Sequence, residues 1–175
     1  SDTMEATPER HLKVWDAVLR ENIFVLCKTQ MAKSITRRTL RGFRQAKVNT
    51  RYFEDLINQI SNKTAKFVSQ MKQGKNYWKA NEDNDMKFTA IVGNPPYQQM
   101  DGGAGVSAKP IYNVFVDVAK LIRPKAISMI MPAKWYTDGK GLDEFRTKML
   151  RDKHIAKLVD YVDSRDCFSN VDIAG

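Results

Sequence analysis

Cysteine is scarce in this chain. Its 175 residues hold two, Cys27 and Cys167, far apart and without a C-x-x-C or Cys/His spacing. Such usage offers neither a zinc framework nor a disulfide scaffold and fits a reducing compartment. The two histidines, His11 and His154, lie in helical or helix-end patterns with no acid or nucleophile at a telling distance. Neither they nor Cys167 receives a catalytic role. Long apolar runs are missing too: none approaches the roughly 20 residues that span a bilayer, and no signal-peptide layout precedes the first helical pattern. Glycine is not arranged for phosphate. Gly102, Gly103 and Gly105 do not directly precede a helix after a strand, which rejects a P-loop or dinucleotide fingerprint and leaves a flexible lid as their reading.

What is present describes a basic globular chain. A hydrophobic content of 42% with 10% aromatics suits one buried core rather than disorder. Twenty-nine Lys and Arg against 20 Asp and Glu leave a net charge of +9, the sign expected for a partner with a phosphate backbone. Charge alone fits an RNA or an acidic protein equally well. Thr7, Pro8 and Glu9 read as the N-cap and first turn of a helix that places Leu12, Trp15, Val18 and Leu19 on one face. Residues 22–27 (NIFVLC) read as a buried strand, and Met31, Ile35 and Leu40 as a helix ending near Gly42. This alternation points to an α/β fold. Between residues 33 and 79, Arg37, Arg38, Arg41 and Arg44 cluster among Tyr52, Phe53, Phe67, Tyr77 and Trp78. Two readings stay open for this stretch: a surface for phosphates and exposed bases, or a solvated face over a helical core of Leu56, Ile57, Ile60, Phe67, Val68 and Met71. Residues 79–85 (KANEDND) read as a linker, and no internal repeat is evident.

The most informative residues come next. The apolar run 88–92 leads through Gly93 into Asn94-Pro95-Pro96-Tyr97. An Asn side-chain oxygen together with the carbonyl of a following proline can accept both hydrogens of a planar amine, because proline fixes the backbone and leaves its carbonyl free. Holding the amine this way frees its lone pair. The stretch MKFTAIVGNPPYQ resembles motif IV of the amino-adenine DNA methyltransferases, most closely the large methylases of restriction-modification systems. Later segments agree in order with motifs V to VIII of that family: the helix-like PIYNVFVDVAKLI, the strand-like AISMIMP leading into AKW, the helix-like GLDEFRTKML, the strand-like HIAKLVDY, and DCFSNVDIAG.

That resemblance implies a partial doubly wound, Rossmann-like methyltransferase sheet. Its catalytic half would cover residues 86–175, after a basic, mainly helical segment over 1–85 with one strand at 22–27. The implied reaction moves a methyl group from S-adenosylmethionine to the exocyclic amine of adenine in double-stranded DNA, in the bacterial cytoplasm and away from any membrane. Asn94, Pro95, Pro96 and Tyr97 would be catalytic, with Asn94 near the methyl sulfonium, and no metal is called for. Tyr97 would stack on an adenine flipped out of the duplex, Phe168 would wall the other side, and Lys134 and Trp135 would stand at the binding edge beyond a strand end. Packing roles are the alternatives for Tyr97, Phe168 and Trp135. The stretch 22–40 resembles the family's strand and helix after the cofactor loop, but the acid that binds the ribose falls on Cys27. Nothing before Asn94 resembles the family's Gly-rich cofactor loop. The chain is therefore expected to be an internal piece that does not methylate alone, and to depend on the rest of a methylase or on a separate specificity or nuclease module. Two further readings remain: a methyltransferase for protein glutamine or RNA, and a non-catalytic DNA-binding module.

Overall fold

In the computed structural model, which describes residues 7–78, 85–99, 109–137, 141–161, 163–166 and 168, Thr7 adopts extended backbone and opens the first helix. Its hydroxyl accepts from the Arg10 N–H at 3.4 Å, and Pro8 fills the first turn, where no backbone donor is needed. This helix, α1, spans Pro8–Glu21. β1 (Phe24–Cys27), α2 (Gln30–Arg41) and β2 (Asn49–Tyr52) form a β-α-β unit whose strands run parallel, in register from Phe24↔Asn49 to Cys27↔Tyr52. The Thr29 hydroxyl caps α2 by accepting from the Ala32 N–H at 3.0 Å. Gly42, at φ 62°, ends it with a backbone that a Cβ would strain.

β2 departs from the sequence expectation, which allowed a single strand before residue 85. Its residues, Asn-Thr-Arg-Tyr, show no apolar alternation. Pairing with β1 and the side chain of Asn49 fix it instead. Asn49 is 4% exposed, and its Nδ2 donates to the carbonyls of Leu19, Arg20 and Ile23 at 3.2, 2.8 and 3.1 Å. One buried amide thus closes the end of α1 and fixes the turn into β1.

α3 (Leu56–Asn62), α4 (Thr64–Met71) and a π-helical turn (Gly74–Trp78) complete the first compact unit, Ser1–Lys87. Leu56, Ile60, Phe67, Val68 and Met71 are buried at helical spacing. The aromatics join them: Phe67, Tyr77 and Trp78 are buried, Phe53 stacks on Tyr77 with centroids 5.8 Å apart, and Phe24 meets Trp78 edge-on at 5.2 Å. Of the two readings offered for this stretch, these rings take the core. Burial pushes the Tyr77 hydroxyl up to about 12, against the opposing pull of Arg51, whose guanidinium lies 4.8 Å over the ring.

The second unit, Phe88–Gly175, is built on another parallel pair, β3 (Ala90–Gly93) and β6 (Ala126–Met129), in register from Ala90↔Ala126 to Gly93↔Met129. A short antiparallel pair, β4 (Gln98–Gln99) and β5 (Lys109–Pro110), and helix α5 (Tyr112–Ile122) lie between them in sequence. After β6 come a 3₁₀ turn (Ala133–Trp135), helix α6 (Asp143–Leu150) and a 3₁₀ turn (Ser164–Asp166). The fold is mixed α/β with small parallel sheets, the class the alternation implied. One expected strand is absent: residues 154–161 carry no ladder among the described residues and are exposed throughout. Ile155, Leu158 and Val159 there are apolar enough for a strand, but a strand exists only with a partner to take its N–H and C=O groups. The linker at 79–84 and the glycines at 102, 103 and 105 lie outside the described residues, as does Cys167.

Two local features yield expected results. A Cβ built on Gly93 would meet Met129 Sδ at 3.0 Å. Gly93→Ala should cost about 1 kcal/mol, since overpacking forces a neighbour to move, and much less in a Met129→Leu background; urea titrations of both singles and the double report that coupling. Asp152 accepts from Lys120 Nζ at 2.6 Å, and the His154 backbone N–H and ring lie at 2.9 Å from its other oxygen. These contacts, Lys120 first, hold its carboxyl well below the usual carboxylate range. A depressed carboxyl stabilises the fold at pH values above its unfolded value, roughly 3.9, and that contribution disappears as pH falls through the folded value. Stability of the parent should therefore drop below about pH 4 more steeply than that of Asp152→Asn, as read by denaturation at stepped pH.

Candidate active site

The β3–β6 pair brings two chain segments to one carboxyl edge. β3 ends at Gly93, whose carbonyl accepts from the Ile130 N–H at 3.0 Å, and β6 ends at Met129, the register partner of Gly93. Asn94 therefore leaves the sheet beside the segment that continues into Lys134 and Trp135. In open parallel sheets this is the edge where ligands bind.

Residues 94–97 divide their work by burial. Asn94 is exposed, Pro95 buried, and Pro96 and Tyr97 half-buried. The prolines thus anchor a fixed backbone beneath an accessible amide. The Tyr97 carbonyl accepts from the Ile111 N–H at 3.1 Å, and the β4–β5 ladder starts one residue later with Gln98↔Pro110. The loop is clamped at both ends by backbone hydrogen bonds.

Tyr97 packs against a core cluster of Tyr112, Val116, Trp135, Leu142, Phe145 and Met149. Trp135 is 4% exposed and meets Phe145 and Tyr136 edge-on at 6.0 and 5.2 Å. It supports the site from below, with little surface left for a ligand. Lys134, its neighbour in the 3₁₀ turn, is exposed at this edge. Phe168 is half-buried and is not part of the cluster that holds Tyr97 and Trp135. Asn94, Tyr97, Lys134 and Trp135 are thus gathered by one strand pair, and Phe168 is not gathered with them by any described contact.

Two residues that sequence reasoning misses are Tyr112 and Asn113. Both begin α5, directly after the strand that closes the loop, and the Tyr112 hydroxyl and Asn113 Oδ1 are buried without a hydrogen-bond partner. Burial pushes the Tyr112 hydroxyl up. The signal that could have found them is an aromatic and an amide at a helix start next to Pro110. The Tyr136 phenol is also pushed up, chiefly by its hydrogen bond with Asp160.

Cys27, at the position where the resemblance expects a ribose-binding acid, is 4% exposed at the carboxyl end of β1, with its thiol 3.9 Å from the Thr36 hydroxyl. A buried thiol cannot take both hydroxyls of a ribose as a carboxylate does. Among the described residues, no group of His, Cys, Asp and Glu is placed to hold a metal.

The family model described as Eco57I restriction-modification methylase matches residues 21–168. A protein of Mycoplasma pneumoniae (strain ATCC 29342 / M129 / Subtype 1), named an uncharacterized adenine-specific methylase, is 36% identical over 132 residues, which cover 66% of this chain and 31% of that relative. The chain thus spans less than a third of the relative's length. No solved structure matches. With most of the chain, both parallel pairs and the Asn94 loop inside the matched range, the chain belongs to the Eco57I restriction-modification methylase family.

Proposed function

We propose that this chain carries the amine-holding side of an adenine-specific DNA methyltransferase within a restriction-modification system, with S-adenosylmethionine as methyl donor. The observation that carries the reading is the exposed Asn94 amide on the buried Pro95, one residue beyond the carboxyl end of β3 and beside β6. Family membership and the name of the Mycoplasma relative support it.

Asn94 Oδ1 and the Pro95 carbonyl accept the two amino hydrogens of adenine. That arrangement withdraws the nitrogen lone pair from the ring and directs it outward. Tyr97, braced from behind by the Trp135 cluster, stacks on the base once it is flipped from the duplex, a step that costs a few kcal/mol and is recovered in the pocket. Phe168 closes the other side of the base, and Lys134 meets a phosphate. The proton that the methylated amine must lose passes to solvent, and holding the reacting amine in line contributes most of the acceleration.

The donor's site is a separate matter. The chain's own residues do not fit it, since Cys27 stands where a ribose-binding carboxylate belongs, so no step through the donor is assigned to them. Each parallel pair, β1–β2 and β3–β6, suits a strand pair of a doubly wound, Rossmann-like methyltransferase sheet. Residues 86–175 form the catalytic half, and the remainder of the methylase or a separate specificity or nuclease module supplies the rest. Among the described residues no helix is long and apolar enough to cross a membrane; double-stranded DNA in a bacterial cytoplasm is the proposed setting.

The buried Cys27 favours one alternative, a module that holds DNA but leaves chemistry to another chain. A labelled methyl donor offered to the full-length protein with duplex DNA, RNA and a glutamine-bearing release-factor-like protein separates the readings. Label on the adenine amino group is the expected product. Label only on RNA or protein would give the acceptor away to another class, and label nowhere would favour the non-catalytic module.

A further inference from the structure

Residues 22–53 contain eight Lys and Arg and no Asp or Glu, and this stretch accounts for almost all of the chain's net charge of +9. The structure turns that composition into a stripe. Lys33, Arg37 and Arg41 recur every fourth residue along α2, with Arg38 adjacent, and Arg37 and Arg38 are exposed. Like charges at this spacing repel and weaken a helix by a few tenths of a kcal/mol per pair.

Neighbouring acids do not relieve them. The three acids of α1, the helix that packs on α2, are engaged elsewhere: Glu9 with Lys13, Asp16 with Arg44 and Glu21 with Arg20. No described ion pair involves Lys33, Arg37, Arg38 or Arg41, and Arg41 Nε is buried without a hydrogen-bond partner. Two other cations of the stretch, Arg44 and Arg51, are engaged within the fold. Arg44 is paired with Asp16, and Arg51 donates to the Tyr77 carbonyl and covers its ring.

We propose that this face of α2 is a contact for the phosphate backbone of duplex DNA, formed by Lys33, Arg37, Arg38 and Arg41. A row of cations along one helix matches the regular charge of a duplex backbone, and each neutralised phosphate releases counterions. Such contacts position the duplex and carry no sequence information. The inference rests on reading the chain as part of a DNA methylase, because that reading supplies the polyanion.

The test is the salt dependence of duplex binding, by fluorescence anisotropy with a labelled duplex of arbitrary sequence. Glutamine keeps helix propensity while removing charge, so the variant is Lys33→Gln with Arg37→Gln and Arg41→Gln. Its slope of log K against log salt should fall by about 2 to 3 relative to the parent, at about 0.9 for each phosphate that is no longer neutralised. A control with the same charge change elsewhere, Lys125→Gln with Lys153→Gln and Lys157→Gln, should fall by less than one. Unchanged slope in the α2 variant, or an equal fall in the control, would overturn the assignment. Should the triple variant lose helicity, the exposed Arg37→Gln alone is measured; a fall of about 1 supports the contact and no fall sinks it. Failure of the methylase reading looks different: no label reaches adenine, whatever the salt slopes show. Adenine labelling with unchanged slopes removes the α2 contact and leaves the methylase reading standing.

Discussion

Replacing Asn94 by alanine is expected to lower methyl transfer by the full-length protein about 100-fold or more, the scale on which one preorganised hydrogen bond to a reacting group is lost. The loss should appear in the turnover rate and leave the KM for DNA nearly unchanged, because the amide tightens on the nitrogen only as its lone pair is drawn out of conjugation. Folding should be unaffected. Asn94 is exposed, and the backbone clamps beside it, Ile130 N–H to the Gly93 carbonyl and Ile111 N–H to the Tyr97 carbonyl, use no side-chain atom of Asn94. Asn94→Asp keeps an acceptor oxygen in place and should fall between alanine and the parent. Single-turnover methyl transfer with matched thermal melts checks both variants. A less than threefold change in rate for Asn94→Ala would remove the amide from the chemistry.

Asn49 should give the largest effect on stability. Its single amide nitrogen serves three carbonyls within the first unit, two at the end of α1 and one at the start of β1. Asn49→Ala leaves buried acceptors without a donor, at about 1 to 3 kcal/mol for each that water does not reach. A total near 3 kcal/mol follows, a large part of the stability of a domain this size. Asn49→Asp should be worse, because an acceptor-only carboxylate would face three carbonyl oxygens in a buried site. Urea titration should show a lower midpoint with an unchanged slope for Asn49→Ala. A loss under 1 kcal/mol would mean that water or a backbone shift replaces the amide.

These two asparagines show what the sequence displayed and what it concealed. The strand ahead of Asn94 was legible because its signal is local: the short apolar run before Asn-Pro-Pro-Tyr became β3. Helix starts were legible for the same reason, as Thr7 and Pro8 show at α1. The role of Asn49 depends on carbonyls 26 to 30 residues away and leaves no mark in the nearby sequence. β2 was missed with it, since a four-residue strand of Asn, Thr, Arg and Tyr takes its place from β1 rather than from periodicity. Residues 154–161 failed in the opposite direction. Their apolar content suggested a strand, but no described partner takes their backbone groups. Trp135 was offered as contact or packing, and only the fold places it under Tyr97 within the cluster.

On the proposed reading the site is divided: this chain would hold the amine, and the donor would be held elsewhere. Titrating S-adenosylmethionine calorimetrically into the 175-residue chain tests that division most directly. No binding heat is expected, because Cys27 falls where the resemblance expects the ribose acid and no segment before Asn94 resembles the family's glycine loop. Tight, saturable binding would contradict the division and would mean that β1 and α2 build a donor site from residues other than a carboxylate.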